Sequence, residues 1–147
     1  MATTNAMSDY MVSALLNLSL RNVAWAIPAT GSVWVALFSS GTGLDSDNPT
    51  GEFVSGDYAR FEVDQTTTTF TASTNGSACA NNEAWSFTQA LSDWGNCTHI
   101  AIVDHATNTV WGTGVHVLYW GALATFKPIS TNDTFTIGAG DLTIQIT

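Results

Sequence analysis

Two periodicities divide this chain. Around residues 8–20, apolar side chains recur at helical spacing: Met7, Met11, Leu15 and Leu18 make one stripe. Ser8 suits the N-cap of that helix, and Asp9 stands in its first turn, where the helix dipole favours an acid. The helix is expected to stop before Pro28, which restricts the backbone of the residue ahead of it. Its stripe has two possible partners, the body of its own subunit or a neighbouring subunit. Packing within the subunit is the expectation.

After Pro28 the pattern shortens to β-type runs. Residues 33–38 (VWVALF) are apolar on both faces, as a central strand should be. Residues 39–51 form a polar loop of turn formers, and strands are expected at 58–63 and at the Thr-rich 66–71. A second loop spans 73–82, with Asn75-Gly76 as a turn signal. Further strands are expected at 84–87, 98–103, 109–111, 115–119, 122–126, 133–137 and 142–146, with a hairpin turn over 104–108. The last run alternates Leu142, Ile144 and Ile146 against Thr143, Gln145 and Thr147. Many short strands with frequent turns predict a mainly β chain, an antiparallel β-sandwich (jelly-roll-like) with one short N-terminal helix; a closed barrel is the alternative. The division is an N-terminal helix or arm over 1–30 and a sandwich over 31–147. Trp34, Leu37, Phe87, Ile100, Ile102 and Leu142 are the expected core. No heptad, collagen triplet or internal repeat marks a fibrous shaft.

A chain of 147 residues suits one domain, and 45% apolar content, with six Trp and seven Phe, supplies a core. Charge changes the picture more. Only 10% of residues are charged, against about 25% in typical domains, and three cations (Arg21, Arg60, Lys127) face twelve acids for a formal charge of −9. That balance repels a phosphate backbone, so nucleic acid is not an expected partner. Low charge with many aromatics suits a protein–protein surface and equally a monomer with its aromatics inside. No apolar stretch approaches a membrane span, and the N-terminus lacks the pattern of a signal peptide, so no membrane partner is expected. Cys79 and Cys97 could form a disulfide or remain free thiols; no further ligands stand at zinc spacing.

Few residues suggest chemistry. His99 and Asp104 project to opposite faces of an extended run, and His105 lies at the expected turn. Asp45-Ser46-Asp47-Asn48, with Glu52 nearby, only loosely resembles a calcium loop and lacks its glycine and glutamate spacing. Four Asn-x-Ser/Thr triplets, at Asn17, Asn75, Asn96 and Asn132, read as chance in a Ser- and Thr-rich chain. No nucleophile elbow, phosphate-binding glycine loop or zinc-protease motif is present. The expectation is no enzyme, no cofactor and no metal. Arg60 offers a planar fork to a carboxylate, within the subunit by preference or across a boundary. Trp94, in Asp93-Trp94-Gly95, is a lid on the core by preference or an anchor on another protein.

Five strings punctuate the chain: Met7-Ser8-Asp9-Tyr10; Tyr58-Ala59-Arg60; Asp93-Trp94-Gly95 with Thr98-His99; Trp120-Gly121-Ala122-Leu123; and Gly140-Asp141-Leu142-Thr143. In order and spacing the chain resembles a family of small virion proteins of tailed bacteriophages, often labelled tail-fibre-like, which includes capsid decoration or cement proteins and tail accessory proteins. The resemblance runs from Met7 to the last strand; the Trp85 region and the Cys79 loop match none of its strings, and Trp120 stands where a polar residue is expected. It implies a structural protein of the virion, assembled in the host cytoplasm. The first expectation is a cement protein binding across capsomers, its partners the major capsid protein and its own copies in a homotrimer. The alternative is a tail-fibre or baseplate accessory whose partners are tail proteins or a host glycan. A free carbohydrate-binding module would instead need aromatics aligned on one exposed face. Tyr10, Tyr58, Arg60, Asp93, Trp94 and Trp120 are the candidate interface residues. Deleting residues 1–20 is expected to weaken particle binding more than the fold; equal loss of both would make the helix part of the core.

Overall fold

The computed structural model describes residues 3–4, 6–25, 31–73 and 78–146. Its elements are β1 (Thr3–Thr4), β2 (Ala6–Met7), α1 (Asp9–Arg21), β3 (Ser32–Phe38), β4 (Phe61–Asp64), β5 (Ala78–Ala80), β6 (Trp85–Ser86), β7 (Gly95–Val103), β8 (Val117–Ile129), β9 (Thr136–Ile137) and β10 (Thr143–Gln145). The chain is mainly β with one helix, arranged like a sandwich. A five-stranded antiparallel sheet, in the order β2-β8-β7-β3-β4, is the larger layer. Opposite it lie the short pairs β10-β5 and β6-β9, with β1 added to β10 in parallel.

The middle of the larger sheet is buried on both faces. All seven residues of β3 are buried, as its continuous apolar run requires. On one face Val33, Val35, Leu37, Ile100, Ile102 and Leu118 pack with Trp85, Phe87, Phe135, Ile137 and Leu142 from the opposing layer. On the other face Trp34, Ala36, Phe38, Ala101, Val103 and Val117 are covered by Leu44 and Val115, which belong to loops. The six residues expected in the core are all buried.

Helix α1 begins as the sequence indicates. The side chain of Ser8 accepts from the Met11 amide, and Asn22 ends the helix in the left-handed region, its N–H donating to the Asn17 carbonyl. Pro28 and the Asn75-Gly76 turn lie outside the described residues. The expectation that the stripe packs within the subunit holds only at its root. Met11 is the buried residue of the helix, while Leu15 and Leu18 are exposed. The helix meets the body through β2 and β8, with Ser8 and Asp9 bonded at its start, and the chain packs on the core again at Trp25.

Two expected strands are absent, and two others are one. Residues 66–71 form a turn, because the Thr66 hydroxyl accepts from the Thr69 amide and contacts the Thr68 and Thr69 hydroxyls. Side-chain oxygens that satisfy nearby amides offer the backbone an alternative to a ladder, and this outweighs the β preference of threonine. Residues 109–111 make only a single bridge, Trp111 to Val115. The runs at 115–119 and 122–126 join into β8, thirteen residues long, which passes through Gly121 without a break. β8 arches beyond it: His99 pairs with Ala122 and Cys97 with Lys127, so Thr98 alone faces residues 123–126.

Residues 1–30 were expected to form an arm. Within them β1 and β2 are hydrogen-bonded into the two layers, and Ser8 is buried. Cutting at residue 20 therefore removes two strands together with the helix, and point changes on α1 separate the two roles better. Trp85 is 2% exposed and packs on Phe61 and Phe70. Trp85→Ala is expected to cost about 3–5 kcal/mol of unfolding free energy, read from a denaturant melt.

Candidate functional site

The surface feature that departs most from an ordinary globular domain is α1. Its sequence, DYMVSALLNLSLR, holds one acid at its start and one base at its end, with no charge between. Val12, Leu15, Leu16, Leu18 and Leu20 are exposed, as is Val23 just beyond, with Leu20 78% exposed. Residues 12, 16 and 20 follow each other on one flank and 11, 15 and 18 on another, so apolar side chains cover more than half of the circumference. A helix apolar on so many sides is normally buried. Monomeric proteins seldom expose contiguous apolar patches of this kind outside contact sites.

The root of this helix is fixed by polar contacts. The Ser8 amide donates to the Leu118 carbonyl at 3.2 Å, the Ser8 hydroxyl donates to the Val117 carbonyl, and the Asp9 amide donates to the Asp45 carbonyl at 2.7 Å. Asp47, buried and at φ 57°, accepts from the Val117 amide at 2.6 Å and meets His116 Nδ1 at 2.5 Å. Tyr10 stacks on His116 with ring centroids 3.7 Å apart. Helix, loop 39–51 and the start of β8 are thus one junction. Sequence reading treated Asp47 as a loop residue loosely like a cation ligand; its carboxylate is instead engaged by β8.

The other candidate interface residues are placed as follows. Arg60 is 3% exposed at its side chain and forms a bidentate pair with Glu52, Nε to Oε1 at 2.6 Å and Nη2 to Oε2 at 2.8 Å. It also donates to the His105 carbonyl and lies over the Trp111 ring at 5.0 Å. The ion pair is inside the subunit, the arrangement preferred from sequence. The Tyr58 hydroxyl accepts from the Leu37 amide at 2.9 Å, and burial raises its pKa far above the usual phenol value. Trp94 is buried against Phe53 and Tyr58 and donates its indole N–H to Asp57 at 3.0 Å. Asp93 is exposed and accepts from the Thr131 amide and hydroxyl, capping that turn. Trp120 is half-buried beside His99, with its indole nitrogen unpaired. Of the six, Tyr58, Arg60 and Trp94 meet at loop 52–60, Tyr10 stands at the helix root, and Asp93 and Trp120 lie apart from them.

Asp57 is not among the residues that the sequence singles out. Its Oδ2 accepts from the Leu91 amide at 2.5 Å and the Ser92 amide at 3.3 Å as well as from Trp94, and its Oδ1 accepts from the Ser55 and Ser92 hydroxyls. The Ser55 hydrogen bond first, and then the Leu91, Trp94 and Ser92 donors, hold its carboxyl well below the usual range against an opposing effect of burial. One carboxylate thereby ties loop 55–58 to loop 91–94.

A groove opens between the layers at the end away from that clamp. It encloses about 810 Å³ and is lined by Val33, Ile102, Leu118 and Tyr119 of the large sheet, by Cys79, Ile144 and Ile146 opposite, and by Trp25, Phe70 and the Thr66–Thr67 turn. Among the described residues no charged side chain lines it. Cys79 and Cys97 are free thiols. Cys79 is half-buried in the groove, whereas Cys97 is buried and desolvation pushes its pKa up to about 12. His99 is lowered by burial, and Nδ1 of His105 accepts from the Thr107 and Asn108 amides. Among the described residues no group of three or more metal-binding side chains converges.

The Asp57 clamp makes acid stability testable. A carboxyl depressed by folding contributes stability that is complete above its unfolded pKa, near 3.8, and is lost as the pH falls through the folded value. Asp57→Asn is expected to lower the denaturant midpoint at neutral pH and to flatten its decline below about pH 5. A variant with the same acid slope as the parent would rule the clamp out. Arg60→Ala leaves Glu52 buried without its partner and is expected to cost about 3–5 kcal/mol in the same assay.

A search of curated proteins found no match. A family model described as podophage GP4 fiber I protein gp80 matches residues 6–145, nearly the whole chain, from β2 through β10. The chain therefore belongs to this family of phage fibre proteins and is a structural component of a bacteriophage virion.

Proposed function

We propose that this chain is a non-catalytic structural subunit of the tail-fibre apparatus, held in the particle by the apolar face of α1. The observation that carries this reading is the run of exposed apolar side chains on a helix whose root is rigidly fixed. Binding there removes apolar surface from water at roughly 25 cal/mol per Å². The family's description as a fiber protein supports the tail-side placement. A compact two-layer fold supports a second reading, the capsid cement protein, in which a homotrimer at a local threefold position binds across capsomers of the major capsid protein. A subunit that binds only the assembled shell stabilises it by mass action. Contact with host glycan has less support, since none of the six tryptophans is exposed.

A cryo-electron microscopy reconstruction of the particle separates the two placements. Density for this fold at the tail is expected; regular copies across the icosahedral shell would replace the fibre reading with the cement reading. Leu16→Gln with Leu20→Gln exchanges good helix formers at exposed positions, so stability is expected to stay within about 0.5 kcal/mol. Incorporation into particles, measured by quantitative immunoblot of purified virions, is expected to fall. Unchanged incorporation would remove α1 from the contact.

A further inference from the structure

Two apolar features of this molecule lack a cover among the described residues, and their chemistry matches. One is the outer face of α1, with Val12, Leu16 and Leu20 in a row. The other is the groove between the layers. Neither covers the other within one chain, because none of the exposed leucines of α1 lines the groove.

We propose that α1 of one copy seats its leucines in the groove of a second copy. This rests on the reading of α1 as the contact surface and names what it contacts. Charge supplies the first argument. The chain carries a formal charge of −9, so most of its surface repels another copy, yet the groove lining and residues 10–20 of the helix are both uncharged. Two copies can meet there without setting acids against acids. Geometry supplies the second. Leu118 accepts from Ser8 at the helix root and Tyr119 pairs with Met7, and both residues also line the groove. Trp25, three residues past the helix cap, lines it too. Both ends of the helix segment therefore adjoin the rim of its own groove, and the helix between them presents its exposed leucines over about 20 Å at 1.5 Å per residue. Size supplies the third: about 810 Å³ accommodates several aliphatic side chains, as amphipathic helices place them in apolar grooves. The contact, helix to groove, is isologous where two copies exchange helices as a pair and heterologous where copies close a ring.

Sedimentation equilibrium of the full chain is expected to give an assembly larger than the 15.6 kDa monomer. Two variants attack the two sides of the contact: Leu16→Gln/Leu20→Gln on the helix, and Ile146→Glu at the half-exposed groove rim. Each is expected to lose the assembly while keeping the parent near-ultraviolet circular dichroism. Mixing the two variants is expected to restore association between unlike copies, because one still offers an intact groove and the other an intact helix. Cys79 gives a local readout that does not depend on the substitutions at the rim. Its maleimide labelling is expected to be slow in the assembled parent and fast in the helix variant, with Cys97 silent because it is buried. A monomeric parent, or a groove variant that assembles as the parent does, would overturn the proposal. Helix variants that remain assembled but drop out of virions would overturn it while leaving the particle contact standing. Assembly of the parent without any copy in virions would do the reverse.

Discussion

The structure depends on one constraint: the middle of its main sheet is apolar on both faces, and among the described residues only one further layer of strands covers it. β3 is buried along its whole length, and β7 places Ile100 and Ile102 on one side and Ala101 and Val103 on the other. The opposing strands cover the first side. The second must be covered by loops, with Leu44 and Val115 supplied from segments that have no ladder to hold them. Loops stay over a core only when their backbone polar groups and their anchors are satisfied. This explains the unusual work given to a few acids. Asp47 holds loop 39–51 to β8, Glu52 and Arg60 join loop 52–60 to the 105 turn, and Asp57 collects donors from residues 55–94. With so few charged residues in the chain, a substantial share of them act as fasteners.

That division explains what could be read from the sequence. β3, the helix cap at Ser8 and the six core residues were legible because each is a local pattern: a continuous apolar run, a capping residue, an alternation. The strand at 66–71 failed because hydroxyls closed a local turn, a competition that β propensity does not count. The unity of β8 failed because Gly121 reads as a turn, yet here it is buried in a strand that bulges farther along. Asp47 and Asp57 were illegible as fasteners since the segments they tie down lie 70 and 34 to 37 positions away. The exposed half of α1 was legible as apolar, but not as uncovered. Periodicity reports which face is greasy and says nothing about whose core it enters.

Membership of a phage fibre family fits these physical features without needing any catalytic one. The loops of a small β body are fastened by an ion pair and capped turns, and a helix without charge between Asp9 and Arg21 presents five exposed apolar side chains. The hydrogen-bonded carboxylates of Asp47, Glu52 and Asp57 hold the loops and are separate from those exposed side chains.

The scarcity of cations has one more result. Arg60 is enclosed with Glu52, which leaves Arg21 and Lys127 as the exposed basic residues of the chain. Viewed from outside, the molecule is a thinly charged polyanion interrupted by neutral ground at the helix and the groove. Its own field reaches about 10 Å at 0.1 M salt and about 30 Å at 0.01 M. Repulsion between like-charged copies is therefore felt at longer range in dilute buffer, and the neutral contact proposed above is expected to strengthen as salt rises.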